Sequence, residues 1–174
     1  EVAKLLRKSA LNNVELIKNV IFPIFHETSI AGAQDLMTDG IDFGAVWGRW
    51  NQQWGHCFYA GREFEKTLHR GMKSEAMVAI SAAPDHEPKW LDVDLLLKMN
   101  LTLYNFIQAD PANCDRERLL PAMSKEAREE SNVYWLSTLC AEIGASALTT
   151  ERTVFIYDSF EAYMPSGIID LKNR

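Results

Sequence analysis

Between Phe43 and Leu68 the chain carries the spacing that most constrains its fold. Phe43, Trp47, Trp50, Trp54, Cys57, Gly61, Phe64 and Leu68 follow one another at alternating steps of four and three. On a helical wheel advancing about 100° per residue they share one sector roughly 100° wide. That is a heptad seam. The opposite sector holds Arg49, Gln52, His56, Tyr59, Glu63, Thr67 and Arg70. The segregation predicts one long amphipathic helix over 43–70. It assigns the three tryptophans of WGRWNQQWGHC to core packing against other helices, not to an exposed grip. Gly44, Gly48, Gly55 and Gly61 each cost about 1 kcal/mol in a helix interior. Three buried indoles, at more than about 2 kcal/mol each, offset that.

Helical signals recur elsewhere. Asn12 with Glu15 has the form of a capping box. Val14, Ile17, Ile21 and Ile24 follow at helical spacing, until Pro23 kinks or ends the helix. SIAGAQDLM predicts a short helix closed by TDG, and 74–81 another. The segment 91–108 is apolar on two faces, as a central buried helix is. Ser124 caps a helix ending near Gly144, with Val133, Leu136, Cys140 and Ile143 on its core face. The tail differs. RTVFIYDS is β-branched and aromatic, as strands are, and GIIDL is its expected partner. The reading is a mainly α fold: a bundle of five to seven helices with a small C-terminal β-hairpin or short strands. One domain spans 1–174, with its one clear break at the prolines of PDHEP, residues 84–88, and a minor β element over 150–174.

A chain of 174 residues, 47% hydrophobic and 24% charged, buries a full core without staples. Three cysteines without a CxxC argue against a disulfide framework or a zinc ribbon. A reducing, cytoplasmic setting follows. The longest strongly apolar run, VIFPIF, is too short to span a membrane, and no secretory signal is visible after Glu1. The net charge of −6 is concentrated in the second half: residues 91–174 carry thirteen Asp/Glu and eight Lys/Arg. Negative potential disfavours nucleic acid and favours a basic protein partner.

No motif calls for a cofactor. None of His26, His56, His69 and His86 sits in a metal-binding pattern, and Glu65–His69 reads as an ordinary helix-face pair. His26, beside Glu27, reads as a histidine at a helix C-terminus. The residues expected to meet a partner or ligand are the polar stripe Arg49, Gln52, His56, Tyr59, Glu63 and Arg70, together with Asp158, Glu161 and Asp170 near Tyr157 and Tyr163. The leading functional expectation is a small acidic protein-binding domain. Its profile is that of inhibitor or immunity-type proteins that neutralise a basic partner. The alternative is an enzyme or small-ligand protein with a cleft lined by His56, Glu63 and Arg70. A third reading is one domain of a larger protein. The oligomeric state stays open.

Overall fold

The computed structural model describes residues 20–42, 57–68, 74–92, 140–141 and 143–172. These form β1 (Ile24–Thr28), α1 (Ile30–Asp39), β2 (Phe58–Gly61), α2 (Phe64–Thr67), β3 (Ala76–Ala82), β4 (Trp90–Asp92), β5 (Ala147–Thr149), β6 (Thr153–Ile156), a 3-10 turn (Phe160–Ala162) and β7 (Tyr163–Asp170). The strands make one seven-stranded sheet in the order β4-β5-β6-β2-β1-β3-β7. Only β4 and β5 run parallel; the other neighbours are antiparallel.

The helical bundle expected from the sequence is therefore wrong. Among the described residues 40% lie in strands and 23% in helices, so the protein is mainly β. The long helix over 43–70 gives way, where it is described, to β2 and the single turn of α2; its tryptophans lie outside the described residues. The expected helix over 74–81 is β3. Trp90–Asp92, at the start of the expected helix over 91–108, is β4. Ile24 and His26 belong to β1, and Pro23 precedes that strand through a cis peptide instead of ending a helix. At the C-terminus both predicted strands exist, but they do not form a hairpin. β6 pairs with β2 and β5, and β7 pairs with β3.

The physical reason lies in burial on both faces. Ile24, Phe58, Val78, Ile80, Trp90, Val154 and Ile156 cluster on one face of the sheet. On the other, Met77, Leu91, Leu148 and Phe155 are equally buried. A strand covered on both sides loses the alternation of polar and apolar residues that identifies strands. AMVAISA then resembles a buried helix as closely as a strand.

The sheet curls toward its first face. β4 and β7 are six strand spacings apart, roughly 29 Å in a flat sheet at about 4.8 Å each. Yet the indole Nε1 of Trp90 donates to the Tyr163 hydroxyl at 2.9 Å. Two side chains cannot bridge such a distance, so the edges converge over a concave face. Phe22 fills the junction, with its ring 5.8 Å from Trp90 and 6.2 Å from Tyr163.

Among the described residues α1 and α2 lie on opposite faces. On the concave side α1 packs on β3 and β7 and buries Ala33 completely. It follows the sequence signals closely. The Ser29 hydroxyl accepts from the Gly32 N–H at 3.0 Å. Gly40, at φ +76°, ends the helix and donates to the Leu36 carbonyl. On the opposite side α2 packs on β1 and β2, where Phe64 meets Phe25 edge to face at 5.7 Å. Gly61 makes that approach feasible. A Cβ there would fall 1.7 Å from Thr67 Oγ1.

Candidate functional site

Of the expected contact residues, Arg49, Gln52, His56 and Arg70 lie outside the described residues. The others do not converge. Tyr59 is half-buried in β2 with its ring 5.3 Å from Phe155. Glu63 pairs with Lys66 at 2.8 Å on the surface. Asp158 accepts from the Ser159 N–H at 2.7 Å, Glu161 is exposed in the 3-10 turn, and Asp170 accepts from the Lys172 N–H at the far end of β7. Tyr157 and Tyr163, read as surface tyrosines among these acids, are buried at 3% and 2% exposure.

The described residues place a cavity elsewhere. It measures about 330 Å³ and lies between α1 and the strands β1 and β2. Gly32, Asp35, Leu36 and Asp39 of α1 form one wall. They fall within about 100° on the helix, beside the stripe that packs on β3 and β7. Thr28, His26 and Phe58 form the opposite wall, and Gly40, Asp42 and Cys57 also line it.

The acidic wall runs against the helix's own electrostatics. A helix C-terminus carries partial negative charge and favours cations. Here the last turn has no basic residue, Asp39 ends the helix and Asp42 follows. Asp35 and Asp39 also repel each other as like charges four residues apart. Among the described residues neither makes an ion pair. The N-terminus is the reverse case. Glu75 accepts from the Ile30 N–H at 3.0 Å, and that bond, with Lys172 nearby, holds its carboxyl below the usual range.

His26 is the buried polar member, at 7% exposure. Its ring lies over Phe58, with centroids 4.2 Å apart and planes inclined by 32°. Its Nδ1 sits 2.6 Å from the Tyr59 carbonyl oxygen. A carbonyl only accepts, so Nδ1 carries the hydrogen, and in the neutral ring Nε2 is an acceptor. Cys57 offers no nucleophile. Burial pushes its thiol up to about 12, so the thiolate is scarce at neutral pH. Burial raises Cys140 as well, with Cys57 adding to the effect.

Among the described residues no three His, Cys, Asp or Glu side chains are arranged to hold a metal ion. No described helix is long and apolar enough to cross a membrane. Sequence reasoning missed Asp35, Asp39 and Asp42 and misplaced His26. The signal was present: SIAGAQDLM followed by TDG puts acids in the last turns of a predicted helix, where they are unfavourable. Comparison with protein-family models, curated proteins and solved structures returned no match to this chain.

Proposed function

We propose that this protein binds a basic protein partner and takes one cationic side chain of that partner into the cavity beside α1. The observation that carries this reading is the pair Asp35 and Asp39, carboxylates without a cationic partner among the described residues, at the end of the helix that disfavours them. Residues that oppose local stability without compensation point to function. The cavity, about 330 Å³, lies at the lower limit of the ~300–1,000 Å³ common for ligand sites. It suits a single side-chain head group. The net charge of −6 favours encounter with a positive surface. Buried free thiols at Cys57 and Cys140 fit a reducing compartment, in our reading the cytoplasm.

The enzyme reading has less support, because Glu63 of its expected cleft is spent in a surface pair with Lys66. The test uses L-argininamide as a minimal cationic head group and citrullinamide as its neutral counterpart, titrated by calorimetry. Argininamide binds, the neutral compound does not, and the double substitution Asp35→Asn, Asp39→Asn weakens binding on the order of tenfold or more. Equal binding of both compounds, or unaltered affinity in the double variant, refutes the proposal.

A further inference from the structure

We infer that the protein pairs with a second copy of itself through the C-terminal half of β7, the two edge strands joining antiparallel across a two-fold axis at Ile169. The inference is independent of the cation site, which lies on the other side of α1.

β7 ends the strand order and pairs with β3 alone. The bonds at its two ends show which backbone groups face away from the sheet. The Ala83 N–H donates to the Ala162 carbonyl, and the Leu171 N–H donates to the Glu75 carbonyl. Odd-numbered residues of β3 therefore bond to β7. Ser81, Ala79 and Met77 stand opposite Met164, Gly167 and Ile169, which accordingly face inward. Alternation along the strand then turns the N–H and C=O of Ile168 and Asp170 outward. Among the described residues nothing bonds to those outward groups.

Sheet edges are normally guarded by proline, bulges, lysine or cover. At the opposite edge, Trp90 and Leu91 of β4 are fully buried. The first half of β7 carries Pro165, a register shift opposite Ala79 and Ile80, and the closure of Tyr163 onto Trp90. Residues 167–170 have none of these guards. Ile168, opposite Val78 on the concave face, is 42% exposed. On that face α1 packs over β3 and β7. Met37 lies one turn from buried Ala33 and about 160° around the helix from Asp39 of the cavity wall. That places it on the β7 side of α1, where it is 40% exposed.

The edge itself selects the occupant. From Ser166 to Ile169 it carries no charge, so a basic partner finds little to hold, whereas a second copy of this acidic chain meets no like charge. With the axis at Ile169, Ile168 faces the partner's Asp170 and Asp170 faces the partner's Ile168. Each pair exchanges both of its N–H···O bonds. Ile169 meets the partner's Ile169 at the closer, non-hydrogen-bonded position between them. One contact thus satisfies the outward groups of both copies and closes on itself.

The experiment is sedimentation equilibrium of the full chain from roughly 5 to 500 µM, the span suited to a small interface. The mass rises from that of one chain, 19.8 kDa, towards twice that value. Hydrogen exchange followed by NMR shows the Ile168 and Asp170 amides slowing on the order of tenfold or more with concentration. Ile168→Pro deletes an outward N–H, leaves the ladder to β3 intact and weakens pairing on the order of tenfold or more. Ile169→Lys sets like charges opposite each other across the axis and also weakens it. A mass that stays at one chain throughout overturns the inference. So does a dimer in which the Ile168 and Asp170 amides exchange as in the monomer, or one that Ile168→Pro leaves unweakened. Assembly beyond two copies overturns it too, because a two-fold contact closes. The wild-type exchange rates keep the inference open to refutation if either variant fails to fold.

Discussion

The concave face of the sheet holds two polar assemblies that obey opposite rules. Where the sheet edges converge, Trp90, Tyr163 and Ser146 are 0%, 2% and 6% exposed, and their hydrogen bonds run in one direction. The Trp90 indole donates to the Tyr163 hydroxyl at 2.9 Å. Ser146 donates to the Lys89 carbonyl at 3.4 Å, which leaves the Tyr163 hydrogen for Ser146 Oγ at 2.5 Å. Burial pushes the Tyr163 phenol up to about 12, so it remains a donor at any physiological pH. Arg62 closes the group, its guanidinium carbon 5.9 Å from the centre of the Trp90 ring. Beside α1 the second assembly leaves carboxylates around an open volume. Polarity at the first assembly is satisfied within the chain and serves stability. At the second, Asp35 and Asp39 make no ion pair among the described residues and oppose the helix dipole, at some cost to stability.

Substitutions can break this contrast. Trp90→Ala removes the largest fully buried side chain among the described residues and the donor that ties the sheet edges together. It should destabilise the fold by about 3–5 kcal/mol, read from chemical denaturation; a loss below about 1 kcal/mol would mean that the converging edges contribute little. Tyr163→Phe keeps the ring but strands the indole N–H. A cost of about 1–3 kcal/mol is expected, with cation binding at the other assembly unchanged. If binding fell with it, the two assemblies would be coupled and the contrast too sharp. Asp39→Asn should act in the other direction. It relieves repulsion at the helix end and raises stability by about 0.3–1 kcal/mol, measured by thermal melting, while weakening argininamide. A destabilised Asp39→Asn would show the carboxylate to be structural and remove the cost on which the contrast depends.

Legibility in the sequence followed the range of the interactions involved. α1 was readable because its signals are local: Ser29 caps its own first turn, and Gly40 stops its last. The strand at Thr153–Ile156 was readable from β-branched composition, and the stop at Gly144, with φ +74°, after the helical Cys140, Ala141 and Ile143, from its glycine. β2 was not. Cys57, Gly61 and Phe64 continue a heptad spacing, and only pairing with β1 and β6 makes Phe58–Gly61 a strand. The candidate site divides the same way. Asp35, Asp39 and Asp42 sit on or beside a helix that was predicted, so their position could have been derived. His26 could not, because its neighbours Tyr59 and Phe58 are more than thirty residues away in the chain.

By itself, then, the sequence determined a chain able to bury a full core, a net negative charge, cysteines without a disulfide or zinc pattern, one capped helix and the existence of two C-terminal strands. Tertiary structure decided the rest. It made AMVAISA a central strand, gave β7 to β3 instead of β6, and curled the sheet until Trp90 met Tyr163. It also set a histidine from β1 across a cavity from the acids of α1. Helix caps and turn residues act within a few positions, whereas strand pairing joins segments of any separation. A sheet covered on both faces erases the period that would have announced its strands.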